Sequence, residues 1–234
     1  MNISGIQKLT LLDYPGHLSC TIFSAGCNMR CPFCHNAPLV TSENVPAAMT
    51  EDELFAFLSR RRGILDGVVF TGGEPLLQQG IADIMRRVHD MGFLVKLDTN
   101  GSFPERLSAL YDMGLVDYTA MDIKNSPEKY TLTAGAPVNI EKIRRSVDLI
   151  MSRSPDYEFR TTAVRELHTP DDFDKIGRFI RGAKQYFVQQ FTDSGNLVGD
   201  ERFTLPTRAE MQAYLDAAAP YVVSASLRGV RGEG

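Results

Sequence analysis

The chain has 234 residues, 43% of them hydrophobic, and a formal net charge of −4, which suits one ordinary globular domain with a buried core. The net acidity argues against a nucleic-acid partner, because phosphate binding normally shows as clustered lysine and arginine. No run of about 18 apolar residues is present, which argues against a membrane-spanning helix. The N-terminus does not resemble a secretory signal, so we expect a cytoplasmic protein.

Short apolar runs alternate with amphipathic segments along the chain. Thr50 and Glu53 form a capping box at the start of one predicted helix. Apolar residues recur every three or four positions over 77–91 and 140–150, which is the helical period. In chain order, the pattern predicts strand 18–24, helix 50–62, strand 67–71, helix 77–91, strand 94–98, helix 104–113, strand 117–123, helix 140–150, strand 157–164, helix 173–180, strand 186–191, helix 209–218 and strand 221–227.

This alternation of strands and helices predicts βαβ units and a parallel sheet. Six such units are too few for a closed eight-stranded barrel, so we expect an α/β fold, an open partial (β/α)6 barrel. We assign 1–234 to one domain, with 1–17 as an N-terminal lead-in and 228–234 as a frayed tail. The longest predicted loops are 42–48 and 125–138.

Polar residues follow several predicted strands at their carboxyl ends. Segment 71–75 follows the second strand, segment 98–101 follows the third, and Asp122 and Lys124 end the fourth. In parallel α/β barrels this edge of the sheet carries the chemistry. We therefore expect these side chains to converge on one mouth.

Cys27, Cys31 and Cys34 lie in a short loop after the first predicted strand, at spacings of four and three. Three thiolates can hold three irons of a cubane iron–sulfur cluster and leave the fourth iron without a protein ligand. An open metal position is what a catalytic site needs and a structural site avoids.

Spacing alone does not choose between iron–sulfur and zinc, because thiolates suit both. One alternative is a structural zinc ion completed by Cys20, His35 or His17, and another is a disulfide. Cys20 alternates with apolar residues on its predicted strand. We therefore predict that it is a small buried hydrophobe.

Two motifs together resemble those of the radical S-adenosylmethionine (SAM) superfamily. The first is Cys-x3-Cys-x2-Cys with the aromatic Phe33 just before the third cysteine. The second is Gly72-Gly73-Glu74-Pro75, which resembles the superfamily's site for the methionine amino group of SAM. Their order and their places on adjacent strand ends argue against zinc and imply a partial barrel of the radical SAM type.

Within the superfamily, the chain resembles the glycyl-radical-enzyme activases over nearly its whole length. The closest resemblance is to the activating proteins of anaerobic ribonucleoside-triphosphate reductase. Pyruvate formate-lyase activases fit slightly less well, because they usually have Gly where Tyr14 stands. A small-molecule radical SAM enzyme such as 7-carboxy-7-deazaguanine synthase is a further alternative, although it typically has Cys-Asp at 34–35. The segments that carry the activase resemblance are 13–16, 23–31, 34–36, 97–101 and 122–124.

The resemblance implies a mechanism and partners. SAM would chelate the open iron of a [4Fe–4S] cluster that a flavodoxin or ferredoxin reduces. One electron from the cluster would split SAM into methionine and a 5′-deoxyadenosyl radical, which abstracts a hydrogen from a glycine Cα in a partner enzyme. The cofactors supply this chemistry, and the protein supplies binding and orientation.

The resemblance also implies residue roles. Cys27, Cys31 and Cys34 would bind the cluster, with Phe33 and His35 beside it. Glu74 would accept a hydrogen bond from the SAM amino group, with a helix cap as the alternative role. Gly72 and Gly73 would let the backbone approach the ligand closely. The other cofactor-binding residues that the family implies are Asp98, Thr99, Asn100, Asp122 and Lys124.

Two further roles follow from the same resemblance. Asp98 and Asp122 would share a monovalent cation, as in the family. His168, after the fifth predicted strand, would touch SAM or the substrate, and a histidine on a surface loop is the alternative.

Overall fold

The described residues form one sheet of eight strands, around which the helices are arranged. This computed structural model describes residues 1–41, 45–193, 195–199 and 202–230. The strands are β1 (Ile3–Thr10), β2 (Ser19–Ser24), β3 (Gly67–Gly72), β4 (Leu94–Thr99), β5 (Tyr118–Asp122), β6 (Asp156–Ala163), β7 (Tyr186–Gln190) and β8 (Ala225–Arg228).

The strands lie side by side in chain order. β1 is antiparallel to β2, and each later pair of neighbours is parallel. β1 and β8 end this order and, within the described residues, do not pair with each other. Six strands, β2 to β7, are each followed by a helix. The predicted open, partial (β/α)6 barrel is therefore confirmed.

Eight α-helices lie in the part of the chain that the structure describes, and they connect the strands. They are α1 (Ala37–Thr41), α2 (Glu51–Ser59), α3 (Ile81–Asp90), α4 (Pro104–Asp112), α5 (Tyr130–Ala134), α6 (Ile140–Arg153), α7 (Pro170–Phe179) and α8 (Arg208–Ala218). The capping box that the sequence predicts is present, since the Thr50 side chain accepts from the Glu53 N–H and the Glu53 carboxylate accepts from the Thr50 N–H. No helix among the described residues is long and apolar enough to cross a membrane.

The two faces of the sheet differ, because side chains alternate along a strand: one packs into the main apolar core, and the other carries charged residues beside a small apolar cluster that includes Val69 and Ala120. On β4, Val95 and Leu97 join the main apolar core, which also contains residues of the helices. Lys96 and Asp98 project to the opposite face and form an ion pair there. We call this opposite face the inner face. Other residues on it are Thr21, Thr71, Asp122, Glu158 and Arg160.

The lead-in predicted for 1–17 contains a complete strand. β1 pairs with β2 from Ile3 opposite Ser24 to Thr10 opposite Ser19, with two shifts in register. Its sequence, ISGIQKLT, lacks regular alternation of apolar and polar residues. The tertiary pairing with β2 therefore decides its conformation, and the periodicity did not show it.

Several other boundaries differ from the prediction. The helix expected over 77–91 begins at Ile81, because residues Pro75–Leu77 form a separate 3-10 helix. Helix α5 lies inside the predicted loop 125–138. The last strand begins at Ala225, four residues later than expected.

Arg228 does not belong to a frayed tail. It is the last residue of β8, and its guanidinium donates to both carboxylate oxygens of Glu158, each at 3.0 Å. Two parts of the predicted segments lie outside the described residues, namely 231–234 of the predicted tail and 42–44 of the predicted loop.

Candidate active site

A cavity of about 460 Å³ lies between the inner face of the sheet and the loop that follows β2. Most of the residues singled out in the sequence meet there, as expected for the carboxyl edge of a parallel sheet. Glu74 and His168 are not among the residues that line the cavity. The predicted residues that do are Cys27, Cys31, Phe33, Cys34, His35, Gly72, Gly73, Asp98, Thr99, Asn100, Asp122 and Lys124.

The cysteine loop, residues 27–34, is held in place by backbone contacts. Gly26, at φ 84°, turns the chain out of β2 in a conformation that favours glycine. The Arg30 N–H donates to the carbonyl of Ala134 at 2.8 Å, which ties the loop to α5. The Arg30 guanidinium also donates to the carbonyl of Cys27 at 2.6 Å.

The three thiols of the loop share one wall of the cavity. Cys31 is buried, and Cys27 and Cys34 are half-buried. Burial raises the pKa of the Cys27 thiol and raises the pKa of Cys31 to about 11. Metal binding by the Cys27 and Cys31 thiols must therefore release protons.

Sulfur donors of this kind fit an iron–sulfur cluster. In the part of the chain that the structure describes, no three His, Cys, Asp or Glu side chains are grouped so that they could hold a metal ion. The structure thus brings the thiols to one cavity without drawing their sulfur atoms into a finished site, and ligation by them stays a prediction.

Two of the residues considered for a zinc site lie elsewhere. Cys20 is fully buried in the main apolar core, and burial raises the pKa of its thiol to about 12. The prediction that it is a buried hydrophobe is confirmed. The His17 ring packs against Tyr14, with 4.7 Å between ring centroids, and its Nδ1 lies 4.0 Å from an oxygen of Asp66. Neither residue lines the cavity.

Gly72 and Gly73 bring β3 against the start of the cysteine loop. A Cβ on Gly73 would lie 2.0 Å from the carbonyl oxygen of Gly26, and one on Gly72 would lie 2.5 Å from backbone atoms of Ser24. The Gly73 N–H donates to the carbonyl of Ser24 at 2.8 Å. These glycines therefore permit close packing of two backbone segments as well as lining the cavity.

Glu74 is completely buried behind the cavity wall. One carboxylate oxygen accepts from the Leu76 N–H at 3.0 Å and from the Thr99 hydroxyl at 2.9 Å, and the other accepts from the Asn100 N–H at 2.7 Å. Burial raises the pKa of Glu74 to about 7, against the opposing effect of these hydrogen bonds. Glu74 thus caps the 3-10 helix and joins it to the end of β4, which is the alternative role considered for it.

A network of charges crosses the inner face of the sheet. Arg160 lies between two aspartates, with Nη1 3.2 Å from Asp98 and Nε 2.9 Å from Asp122. Lys96 pairs with Asp98, and Lys124 lies 3.1 Å from Asp122. Burial alone would raise the pKa of each aspartate, but the neighbouring cations hold both values below the usual range.

Both aspartates are therefore ionised at neutral pH. The monovalent cation that they were expected to share stays a prediction. In this structure, the positive charge between their carboxylates is the guanidinium of Arg160.

His168 is 2% exposed, so it is not a histidine on a surface loop. Its Nδ1 lies 3.2 Å from both the backbone nitrogen and the carbonyl oxygen of Val164, and its Nε2 lies 2.9 Å from the carbonyl oxygen of Lys124. Burial lowers the pKa of His168, which favours the neutral ring. The ring contacts the chain just after the end of β5, and the contact with SAM or substrate that the resemblance implies stays a prediction.

Four charged residues of the inner face were not among the predicted site residues. They are Lys96, Glu158, Arg160 and Arg228. For the three on β4 and β6 a signal was present in the sequence, since charged residues alternate there with apolar ones and charged side chains are rarely buried.

Comparison with known proteins adds a family assignment. Residues 21–180 match the family described as the radical SAM superfamily. A protein of Methanocaldococcus jannaschii, provisionally named a glycyl-radical enzyme activating enzyme, is 32% identical over 98% of this chain and 97% of its own length.

Two further relatives match over less than half of the chain. The pyruvate formate-lyase-activating enzyme of Clostridium pasteurianum is 35% identical over 42% of this chain and 43% of its own length. The 7-carboxy-7-deazaguanine synthase of Clostridium acetobutylicum is 36% identical over 44% of this chain and 48% of its own length.

Solved structures with low sequence identity share the fold. A domain of the pyruvate-formate lyase-activating enzyme from Bacteroides vulgatus has a TM-score of 0.56 at 18% identity, over 70% of this chain and 99% of that domain. SuiB of Streptococcus suis, solved with S-adenosylmethionine, has a TM-score of 0.66 at 11% identity, over 89% of this chain and 52% of SuiB.

Proposed function

Because the chain belongs to the radical SAM superfamily and is related along its length to a protein named as a glycyl-radical enzyme activating enzyme, we propose that it generates a glycyl radical on a partner enzyme. Anaerobic ribonucleoside-triphosphate reductase is the partner that we propose. The observation that carries the proposal is the cavity in which the three-cysteine loop faces the charged ends of β4 and β5.

The family uses a [4Fe–4S] cluster and SAM, which together supply a carbon-centred radical when bound. Cys27, Cys31 and Cys34 would hold the cluster. Lys124 lines the cavity beside Asp122 and can donate to a ligand carboxylate there. The Gly72–Gly73 turn also lines the cavity, and its Gly72 carbonyl accepts from the Asn36 side chain at 3.2 Å. We propose that the ammonium group of SAM lies beside this turn, and its contact with the buried Glu74 stays a prediction.

The aspartates are fixed before any ligand binds. Arg160 holds Asp98 and Asp122 in their ionised form, and both aspartates line the cavity. A preset arrangement of this kind orients a polar ligand without reorganisation during the reaction. We propose that it positions the ribose and amino acid parts of SAM.

A protein substrate suits the open architecture of the sheet. β1 and β8 do not close the barrel within the described residues, and a glycine on a partner loop must approach the reacting carbon to within about 3–3.5 Å. A partner loop can be delivered from an open side. The flavodoxin or ferredoxin that would reduce the cluster, and the cytoplasmic location, stay predictions.

The test uses the protein with its cluster reconstituted under argon, SAM, a reductant and a reductase deuterated at glycine Cα. We expect deuterium in 5′-deoxyadenosine and a glycyl radical signal on the reductase by electron paramagnetic resonance. A pyruvate formate-lyase with the same label serves as a second candidate partner.

Each outcome separates two possibilities. A radical on pyruvate formate-lyase alone would keep the activase function and change the partner. If neither protein acquires a radical and a small metabolite loses the hydrogen atom instead, the activase proposal is wrong. The alternative would then be a small-molecule radical SAM enzyme, the class of the partly matching 7-carboxy-7-deazaguanine synthase.

A further inference from the structure

Asn100 contacts the sulfur of one proposed cluster ligand. It lies in the turn after β4, is 6% exposed, and its side-chain nitrogen is 3.7 Å from the sulfur of Cys27. The same nitrogen lies 3.0 Å from the side-chain oxygen of Asn28. A carboxamide has two N–H protons, so it can donate to both acceptors at once.

The orientation of this carboxamide follows from its other contacts. Its oxygen accepts from the Ser102 N–H at 3.0 Å and also from the Ser102 hydroxyl. The Ser102 oxygen in turn accepts from the Asn28 side-chain nitrogen at 3.0 Å. Because the oxygen is committed to Ser102, the nitrogen of Asn100 must face Cys27.

The backbone of Asn100 is anchored as well. Its N–H donates to the buried carboxylate of Glu74 at 2.7 Å. The next residue, Gly101, has φ 77°, and a Cβ there would lie 2.1 Å from the Met121 side chain. The turn therefore has little freedom to move the donor away from the sulfur.

The sulfur of Cys27 receives a second donor, the Met29 N–H at 3.4 Å. Hydrogen bonds to a ligating sulfur stabilise the extra negative charge of a reduced iron–sulfur cluster and so tune its reduction potential. We propose that Asn100 is a positioning residue that raises the reduction potential of the cluster through the sulfur of Cys27. The proposal rests on the cluster ligands given under the proposed function.

The experiment measures the midpoint potential of the reconstituted protein without SAM, in redox titrations followed by electron paramagnetic resonance. Asn100→Leu keeps a similar side-chain volume and removes both N–H donors. We expect a full complement of iron and sulfide in this variant and a midpoint potential shifted to more negative values. A smaller fraction of clusters should then be reduced at a fixed potential.

Asn28→Ser is the matched control. It changes the residue next to Cys27 and removes the other acceptor of Asn100, yet it leaves the contact with sulfur in place. We expect its midpoint potential to equal or exceed that of the unmutated protein. A potential unchanged in Asn100→Leu, or lowered equally in Asn28→Ser, would overturn the proposal.

A second measurement tests the proposal even if the Asn100→Leu variant does not assemble a cluster. Asparagine labelled with ¹⁵N in its side-chain amide should give a weak hyperfine coupling to the reduced cluster in the Asn28→Ser protein. Absence of that coupling overturns the role of Asn100. Absence of iron and sulfide from the unmutated protein would instead contradict the proposed cluster site.

Discussion

The four cysteines separate into two environments that a mutation series can distinguish. Cys27, Cys31 and Cys34 line the cavity, whereas Cys20 lies in the apolar core beneath the sheet. We expect alanine at any of the three loop positions to abolish SAM cleavage and to lower the iron content of the reconstituted protein. Cys20→Ala, the control, should keep its cluster and its activity. A Cys20→Ala variant that loses iron while Cys27→Ala retains a full cluster would show that the assignment is wrong.

Glu74 makes the free energy of unfolding depend on pH, and the direction of that dependence follows from its raised pKa. Burial raises its pKa in the folded chain from 4.5 to about 7, so between these values the folded state holds a proton that the unfolded state has lost. Its contribution to the free energy of unfolding is complete below pH 4.5 and falls as pH rises toward 7, by up to about 3 kcal/mol.

Glu74→Gln should remove this part of the pH dependence. We expect the difference in melting temperature between pH 5 and pH 8 to be smaller in the variant than in the unmutated protein. The control is Glu105→Gln, at an exposed carboxylate paired with Arg145. An equal change of melting temperature with pH in all three proteins would contradict the raised pKa.

Residue types and spacing predicted which side chains meet at the cavity, but not which of them face it. Twelve of the fourteen predicted site residues line the cavity. Glu74 and His168 lie behind its wall because neighbouring backbone groups bind them, Asn100 for Glu74 and Lys124 for His168. Such contacts join segments far apart in sequence, and no local pattern encodes them.

At the scale of elements, the strand-to-loop junctions fix the site. β2 ends at Ser24 and β3 ends at Gly72, and the two strands pair in register up to that point. Beyond the ends of the two strands, the Gly73 backbone packs against the backbone of Gly26. Gly26 is the residue just before the first cysteine of the loop. The path of the cysteine loop therefore depends on the packing of two chain segments without side chains between them.

Gly73→Ala should displace this junction. Its Cβ would lie 2.0 Å from the Gly26 carbonyl oxygen, and the backbone cannot move aside as a flexible side chain can. We therefore expect the free energy of unfolding to fall by about 1–3 kcal/mol or more. Cluster content after reconstitution should fall with it. Gly5→Ala, whose Cβ would lie 3.5 Å from Phe23, is the control and should keep both. Similar losses of stability and cluster content in the two variants would contradict the role of the Gly73–Gly26 contact in placing the cysteine loop.

The order of the elements was predictable because helical and strand periods alternate clearly from β2 to α8. The sequence pattern did not predict β1, because the two register shifts of this strand interrupt the alternation of apolar and polar residues. Helix α5, of five residues, is too short for a period to show. The tail was misjudged at Arg228, because its partner Glu158 lies 70 residues away and only the folded sheet brings them together.

At the scale of the whole molecule, charge holds the open end of the sheet together. Arg228 on β8 reaches Glu158 on β6 across the intervening strand β7, and its guanidinium carbon lies 3.7 Å from the centre of the Phe187 ring. Glu158 also accepts from the Tyr118 hydroxyl of β5 at 3.1 Å. The network thus joins four neighbouring strands at the edge that a closed barrel would not have.

Arg228→Met should lower the free energy of unfolding by more than the removal of an exposed surface ion pair does. The variant leaves Glu158, 1% exposed, with Arg160 at 3.7 Å as its remaining cationic partner among the described residues. Removing one partner of a fully buried pair costs about 3–5 kcal/mol, and because the Arg228 side chain is 39% exposed we expect about 2–3 kcal/mol here. Arg145→Met is the matched control, since its pair with Glu105 is exposed on both sides and should contribute less than about 1 kcal/mol. Urea unfolding of both variants under argon measures the difference, and equal losses in the two would show that β8 does not depend on this contact.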